Sequence, residues 1–234
     1  MVVILEPYFK TKYGTLYCGD ALKIIDNLNV KVDAVITDPP YGSKVFGWDG
    51  VDVEFHICFL NKVINVMKEG APIFMFYPPM RLHEILPEFT KLFKLRNIVV
   101  WHHPNIYAYG KVYGTDRFKS TWEAILYGIK GDRPKAINAN TCLYRNYGKS
   151  FDVIIMPAPN KPLHPAQKPE KLIEMLINCF TNPSDIVLDP FLGSGTTAIV
   201  AERLGRRWIG IEISKEFCDL CISRLKTGFS IDWW

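Results

Sequence analysis

An acid, two prolines and an aromatic stand side by side at Asp38, Pro39, Pro40 and Tyr41, in the stretch TDPPYG that follows the apolar run VDAVI. The run is short, β-branched and bounded by turn residues, so it reads as a buried strand. Neither proline has an N–H for a ladder and each fixes φ near −65°, so the chain must leave the sheet there as a stiff turn. A carboxylate on such a corner is an aimed hydrogen-bond acceptor. The chemistry open to it is stabilisation of a hydrogen-bearing group that gains positive charge.

A second stretch, from Asp185 to Ser214, reads as strand, glycine turn, helix, strand and acid. Gly193, Gly195 and Ala198 fit the G-x-G-x-x-G/A spacing, in which glycines permit a tight turn and close approach of a ligand to the backbone. Glu212 ends the following strand, 17 positions past Gly195, placed to accept hydrogen bonds from ribose hydroxyls. A dinucleotide and S-adenosylmethionine both present an adenosine ribose, so the fingerprint leaves the two open. Its place in the chain bears on the choice. A dinucleotide fold opens with this strand and needs several further βα units, yet 39 residues follow Gly195. The remaining strands are expected from upstream, with Asp38 lying 151 residues before Asp189. Strand ends at the carboxyl edge of a parallel sheet share one crevice, where the two corners can meet.

The elements that must position these corners alternate along the chain, which predicts an α/β fold with a largely parallel sheet. Strands are expected near 15–17, 32–37, 72–77, 96–101, 121–128, 152–156, 184–189 and 207–212. Helices are expected near 20–28, 54–68, 81–93, 169–181, 196–204 and 215–226. Asp20, Pro169 with Glu170, and Ser214 mark helix starts, and Gly70 and Gly205 are placed as stops. The 234 residues, 48% hydrophobic and 22% charged, suffice for one substantial core. No apolar run is long enough to span a membrane and the N-terminus lacks a signal-peptide pattern, so an intracellular, cytoplasmic protein is expected. The six cysteines lie mostly in apolar patterns and read as reduced core thiols. Cys218 and Cys221 form a C-x-x-C inside a helical pattern, where packing is favoured over metal or redox chemistry.

The formal charge of +4 is modest, but between Lys111 and Lys149 eight basic residues face three acids. Aromatics interleave them, which suits a polyanion that also presents bases; a solvated loop region is the plainer reading.

Taken together, LYCGDAL, TDPPYG, PIFMFY, HPAQKPEKL, DPFLGSGTT and GIEIS resemble, in order, the β class of DNA amino-methyltransferases, in which the DPPY motif precedes the cofactor motif. The resemblance covers nearly the whole chain. It implies a single Rossmann-like methyltransferase domain over residues 1–234, with a mostly parallel twisted sheet, helices on both faces and a permuted motif order. It further implies S-adenosylmethionine as cofactor and double-stranded DNA as substrate. Cofactor contacts are then expected from Asp20, Lys168, Asp189, Phe191, Gly193, Ser194, Gly195, Thr196, Thr197 and Glu212, with His164 a weaker candidate. Lys168 is expected near the cofactor carboxylate, or else as a solvated lysine ahead of a helix. DNA contacts are expected within 104–162, at Lys111, Arg117, Lys119, Arg133, Lys135 and Arg145. A homodimer and a companion restriction endonuclease are further partners the class implies.

On this reading Asp38 and the Pro39 carbonyl accept the two hydrogens of an exocyclic amino group as it attacks a sulfonium methyl, and Tyr41 stacks on the base. A carboxylate with an ordinary pKa of about 3.9 would be ionised without special tuning. The target base must leave the duplex, and Ser43 to Asp52 is expected to form a loop that closes over it. The acid at Asp38 favours N6 of adenine; N4 of cytosine has the same amidine chemistry and is the alternative. Protein-glutamine methyltransferases place their related turn after the glycine motif, opposite to the order here. A nicotinamide oxidoreductase and a non-catalytic DNA-binding module are the readings from other classes; the first does not account for the DPPY turn, and intact motifs count against the second.

Overall fold

Every residue of Ala34–Thr37, Pro72–Tyr77 and Ile186–Asp189 is buried, the pattern of strands covered on both faces of a parallel sheet. The computed structural model, which describes residues 5–41, 50–105, 120–135, 142–143, 152–160, 162–164 and 166–228, places them at the centre of a nine-stranded sheet. In chain order the elements are β1 (Phe9–Lys10), β2 (Gly14–Cys18), α1 (Ala21–Asp26), β3 (Ala34–Thr37), α2 (Val53–Val66), β4 (Pro72–Tyr77), a 3₁₀ turn (Pro79–Arg81) and α3 (Leu82–Leu92). There follow β5 (Lys94–His102), β6 (Trp122–Ile129), β7 (Val153–Ile155), α4 (Glu170–Phe180), β8 (Ile186–Asp189), α5 (Thr196–Arg203), β9 (Arg207–Glu212) and α6 (Lys215–Thr227). Across the sheet the order is β1-β2-β9-β8-β3-β4-β6-β5-β7. The run from β2 to β4 is parallel, and β6 lies antiparallel between β4 and β5.

Side-chain alternation along the strands feeds two separate cores. Ile36, Phe74, Phe76, Val187 and Trp208 pack on the face covered by α4, α5 and α6. Val35, Ile73, Met75, Leu188 and Ile211 pack on the opposite face, against α1, α2 and α3. β8 and β3 are neighbours, yet the chain leaves β8 through α5 on one face and leaves β3 through α2 on the other. Their carboxyl ends therefore form a topological switch point, where an open α/β sheet has its crevice.

All the expected strands and helices form. The two-residue β1 was not anticipated, being too short for a periodicity. Gly70 does not stop α2, which ends at Val66 with Met67 as its cap; it turns the chain toward β4 and exchanges backbone hydrogen bonds with Lys130 and Lys135. The expectation of six reduced thiols is corrected by a Cys142–Cys179 disulfide, with Cα atoms 5.3 Å apart. Sequence spacing carries no sign of such a pairing, because α4 and a remote segment meet only in the fold. Cys218 and Cys221 are free and buried, as packing residues should be.

Lys135 requires a second correction, since a DNA contact was expected from it. Lys135 Nζ pairs with Asp33 at 2.9 Å and Asp185 at 2.5 Å, and Lys68 also pairs with Asp33 at 2.8 Å. These acids precede β3 and β8, so the cluster sits at the amino edge, opposite the crevice. Arg133 belongs to the same turn, packed on Gly70. The physical reason is that Asp33 is nearly buried and needs cations. Lys111, Arg117, Lys119 and Arg145, with Ser43 to Asp49 of the expected closing loop, lie outside the described residues.

Lys135→Ala is expected to lower unfolding stability by about 1–2 kcal/mol, since Asp33 keeps Lys68 and the Ile186 amide. Denaturant melts measure this, and the salt dependence of DNA binding should stay at its parental slope.

Candidate active site

β3 delivers Asp38 to the carboxyl edge, and three side chains fix the turn that follows. His56 Nε2, on α2, donates to the Pro40 carbonyl at 2.7 Å. Burial pushes the His56 pKa down, so the ring is neutral, with Nδ1 facing the Tyr77 hydroxyl at 3.5 Å. The Arg81 guanidinium donates to the Tyr41 carbonyl and is braced by two hydrogen bonds to Glu84, at 2.9 and 2.7 Å. Proline stiffness is thus completed by contacts from α2 and from the 3₁₀ turn that follows β4.

The Asp38 carboxylate faces a lysine. Lys168 Nζ lies 2.7 Å from Asp38 Oδ2 and 2.9 Å from Glu123 Oε2, with its side chain 7% exposed. Phe76, Trp101 and Tyr41 surround the ammonium with ring centroids at 5.0, 5.8 and 5.6 Å, close enough for cation–π attraction. Burial works against this charge, but Asp38 and Glu123 outweigh it and raise the Lys168 pKa. The Tyr41 hydroxyl bonds to Asp38 Oδ1 and lies 3.0 Å from Glu123 Oε2. Burial, with Glu123 adding to it against Lys168 and Tyr41, pushes Asp38 up to about 6. The expectation of an untuned carboxylate is therefore corrected, because the corner is dry.

Lys168 is accordingly no solvated lysine, and its ammonium points at the catalytic corner. The Tyr41 ring meets Tyr77 edge-on at 6.3 Å, with its plane fixed by the hydroxyl contacts. Glu123, His56, Arg81 and Trp101 were missed as site residues. Glu123 alone left a signal, as an acid near the start of the otherwise apolar strand WEAILYGI.

The glycine turn is built from inside. Glu212 accepts from Gly193 N and Ser214 N, both at 2.8 Å, and burial pushes its pKa up. Gly195 has φ +89°, and a Cβ there would stand 2.3 Å from Cys221 Sγ. Ser194 is buried, and its carbonyl and hydroxyl accept from Arg224 at 2.8 and 3.2 Å. Arg224 also donates to Glu170 at 2.9 Å, which ties the turn to the start of α4. Asp189 accepts from Phe191 N at 3.2 Å, and burial lifts it to about 7. Thr197 is hydrogen-bonded to Asp189, and Thr196 Oγ1 is buried without a partner among the described residues. The Phe191 ring packs on Phe55 and Phe59 of α2. Asp20 caps α1 through Leu22 N and Lys23 N, beside Gly19, whose amide bonds to the Glu212 carbonyl at 2.8 Å.

One short segment spans both corners. The His164 ring lies 3.6 Å from the Cβ position of Gly193 and stacks edge-on against Phe217 at 4.3 Å, while Lys168 holds Asp38. The Cα atoms of residues four apart are separated by at most about 14 Å, and β3 and β8 end side by side in the sheet, so the glycine turn and the DPPY turn open on one crevice. The Glu212 carboxylate, the glycine turn and the Thr196 hydroxyl, unpartnered among the described residues, stand at one sheet edge and fit an adenosine-bearing ligand.

A doubly wound sheet with this glycine turn and an acceptor corner facing it defines an S-adenosylmethionine-dependent methyltransferase. The chain belongs to the DNA methylase family of N6 and N4 amino-methyltransferases, whose model matches residues 32–223. It is similar to the DNA adenine methyltransferase YhdJ of Escherichia coli (strain K12), 29% identical across 92% of this chain and 85% of that protein. It is 29% identical to the type II methyltransferase M.BamHI of Bacillus amyloliquefaciens across 95% of this chain, and spans 59% of that protein's length. Among solved structures it resembles the M1.HpyAVI–SAM complex, with TM-score 0.72 and 27% identity over 91% of this chain and 99% of that one. The PvuII DNA methyltransferase, named as cytosine-N4-specific, shares the fold with TM-score 0.75 and 21% identity over 97% of each chain.

Protonation of Asp38 removes its negative charge and turns one acceptor oxygen into a donor, so methyl transfer is expected to fall as pH drops through about 6 and to be flat above it. Gly195→Val should cost at least tenfold in S-adenosylmethionine affinity by equilibrium binding, through strain at positive φ and collision with Cys221.

Proposed function

We propose that this protein transfers a methyl group from S-adenosylmethionine to the exocyclic N6 amino group of adenine in double-stranded DNA. The observation that carries the reading is the four-residue bridge, with His164 over the glycine turn and Lys168 on the DPPY carboxylate. When bound, S-adenosylmethionine supplies an electrophilic methyl on a sulfonium sulfur. Asp38 and the Pro39 carbonyl accept the amino hydrogens and stabilise the nitrogen as it turns positive. His56 and Arg81 keep the turn rigid, so that little reorganisation accompanies charge development. Tyr41 stacks on the base, and Phe76 and Trp101 line the Lys168 ammonium beside it. Asp20, Phe191, Gly193, Ser194, Gly195, Thr196, Thr197 and Glu212 serve the cofactor, as direct contacts or by holding its bed.

Adenine is favoured by the acid at Asp38 and by the relative named as an adenine methyltransferase. Cytosine N4 is the second reading, because the same two acceptors serve any amidine amino group. DNA contacts are assigned to Lys111, Arg117 and Lys119. The chain between β5 and β6 leaves and rejoins the sheet at the carboxyl edge, where His102 pairs with Trp122. Arg145 is a weaker assignment, since Cys142 is tied to the far end of α4. The whole chain is taken as one methyltransferase domain that acts in the cytoplasm; no helix among the described residues is long and apolar enough to cross a membrane. The relatives named as type II methyltransferases support a companion endonuclease, and the span of about 30 residues between Tyr127 and Pro157, short for a sequence-reading insert, supports a homodimer.

Nucleoside digestion of treated DNA should yield N6-methyladenine, with N4-methylcytosine as the result that overturns the choice of base. Asp38→Ala should bind S-adenosylmethionine within a few-fold of the parent and lose transfer by about 10²- to 10³-fold or more, the scale of a removed electrostatic stabiliser.

A further inference from the structure

Methyl transfer leaves the amino nitrogen cationic with two hydrogens, and one proton must depart before the product is neutral. Asp38 already has Lys168 on Oδ2 and the Tyr41 hydroxyl on Oδ1. The Tyr41 hydroxyl has one hydrogen and stands between two carboxylate oxygens, Asp38 Oδ1 and, at 3.0 Å, Glu123 Oε2. A phenol in that position passes one proton on as it receives another. Burial and the two acids raise the Tyr41 pKa, so it stays a neutral O–H and a phenolate is not a resting state. The Glu123 side chain is 20% exposed, against 16% for Asp38 and 7% for Lys168, so Glu123 is the most exposed of the three charged groups and the readiest to pass a proton to water.

We infer that Glu123 is the terminus of a proton exit path, receiving through Tyr41 the proton that the methylated amino group sheds onto Asp38. The N–H bond breaks as an O–H bond forms on Asp38. That proton moves to the Tyr41 oxygen while the phenolic proton moves to Glu123 Oε2. The amine, Asp38 and Tyr41 end neutral, ionised and protonated as they must be for the next cycle, and protonated Glu123 gives its proton to solvent. Lys168, held 2.7 and 2.9 Å from the two acids, balances the negative charge as the proton passes between them. The groups facing Glu123 are Asp38 and Tyr41 from the turn after β3, Lys168 ahead of α4, and His103 after β5, whose Nε2 is 3.9 Å from Oε1. Burial lowers the His103 pKa, so it faces Glu123 as a neutral ring. Glu123 acts through Tyr41 and is a positioning residue for proton removal.

The inference rests on Asp38 being the amine's acceptor, and the test separates the two. The full chain is assayed with tritiated S-adenosylmethionine and DNA from cells lacking adenine and cytosine methylation. Glu123→Gln keeps the size of the side chain and cannot take a proton. It should lower steady-state turnover at least tenfold, bind S-adenosylmethionine within twofold of the parent, and regain rate in proportion to added imidazole buffer. The pH midpoint should also fall, since the charge that raises Asp38 is gone. Tyr41→Phe, which leaves Glu123 in place, should show the same buffer dependence and provides the reading if Glu123→Gln folds poorly. Turnover at the parental rate, or a slow variant whose rate ignores buffer and whose pH midpoint does not move, overturns the path. An active Asp38→Ala would instead overturn the acceptor role itself, whatever the Glu123 variant does.

Discussion

A buried ammonium organises this site. Removing the Lys168 charge from water costs several kcal/mol, and two carboxylates at 2.7 and 2.9 Å offset that cost. Aromatic rings from β4 and β5 add to the compensation. Because the partners come from the turn after β3, from β6 and from the segment before α4, one ion cluster holds together three parts of the chain that carry the reaction. The cluster cannot form unless β6 inserts antiparallel beside β4, which brings Glu123 to the carboxyl edge next to Asp38.

The same burial alters the acid that does the work. Desolvation lifts Asp38 to about 6, close enough to neutrality that it can hold a proton briefly and release it, yet low enough that it is ionised when a substrate arrives. An exposed Asp38 would be a weaker electrostatic partner for a developing cation, because water would screen it. A buried one without Lys168 would be protonated and useless as an acceptor. The lysine sets the balance between those limits.

On the cofactor side, backbone groups are the object of the design. Glu212 takes the Gly193 amide of the glycine turn and the Ser214 amide after β9, and Arg224 donates to the Ser194 carbonyl while paired with Glu170. The turn runs through positive φ at Gly193 and Gly195, a backbone path that glycine follows without strain and other residues rarely adopt. Arg224 connects that turn to α4, whose approach carries His164 and Lys168, so cofactor bed and catalytic corner share one rigid support.

Much of this was legible in the residues alone. Periodicity placed the eight longer strands and the helices, because buried parallel strands and amphipathic helices leave repeats of two and 3.6 along the chain. DPPYG, the glycine fingerprint and their order marked the two corners, because proline and glycine restrict or free the backbone wherever they stand. Charge could not be read the same way. Lys135 and Lys168 are each a lysine beside a proline, yet the first is bound to acids at the amino edge and the second is buried between acids at the crevice. Nothing local distinguishes them, and the acids lie 50 and 102 residues from Lys135. Glu123 as a site residue and the Cys142–Cys179 pairing were hidden for the same reason. The sequence by itself determined which backbone turns exist and what they can hold. The tertiary structure alone decided which charges meet, because an ion pair is specified by proximity in space and the sheet order that creates it joins strands far apart in the chain.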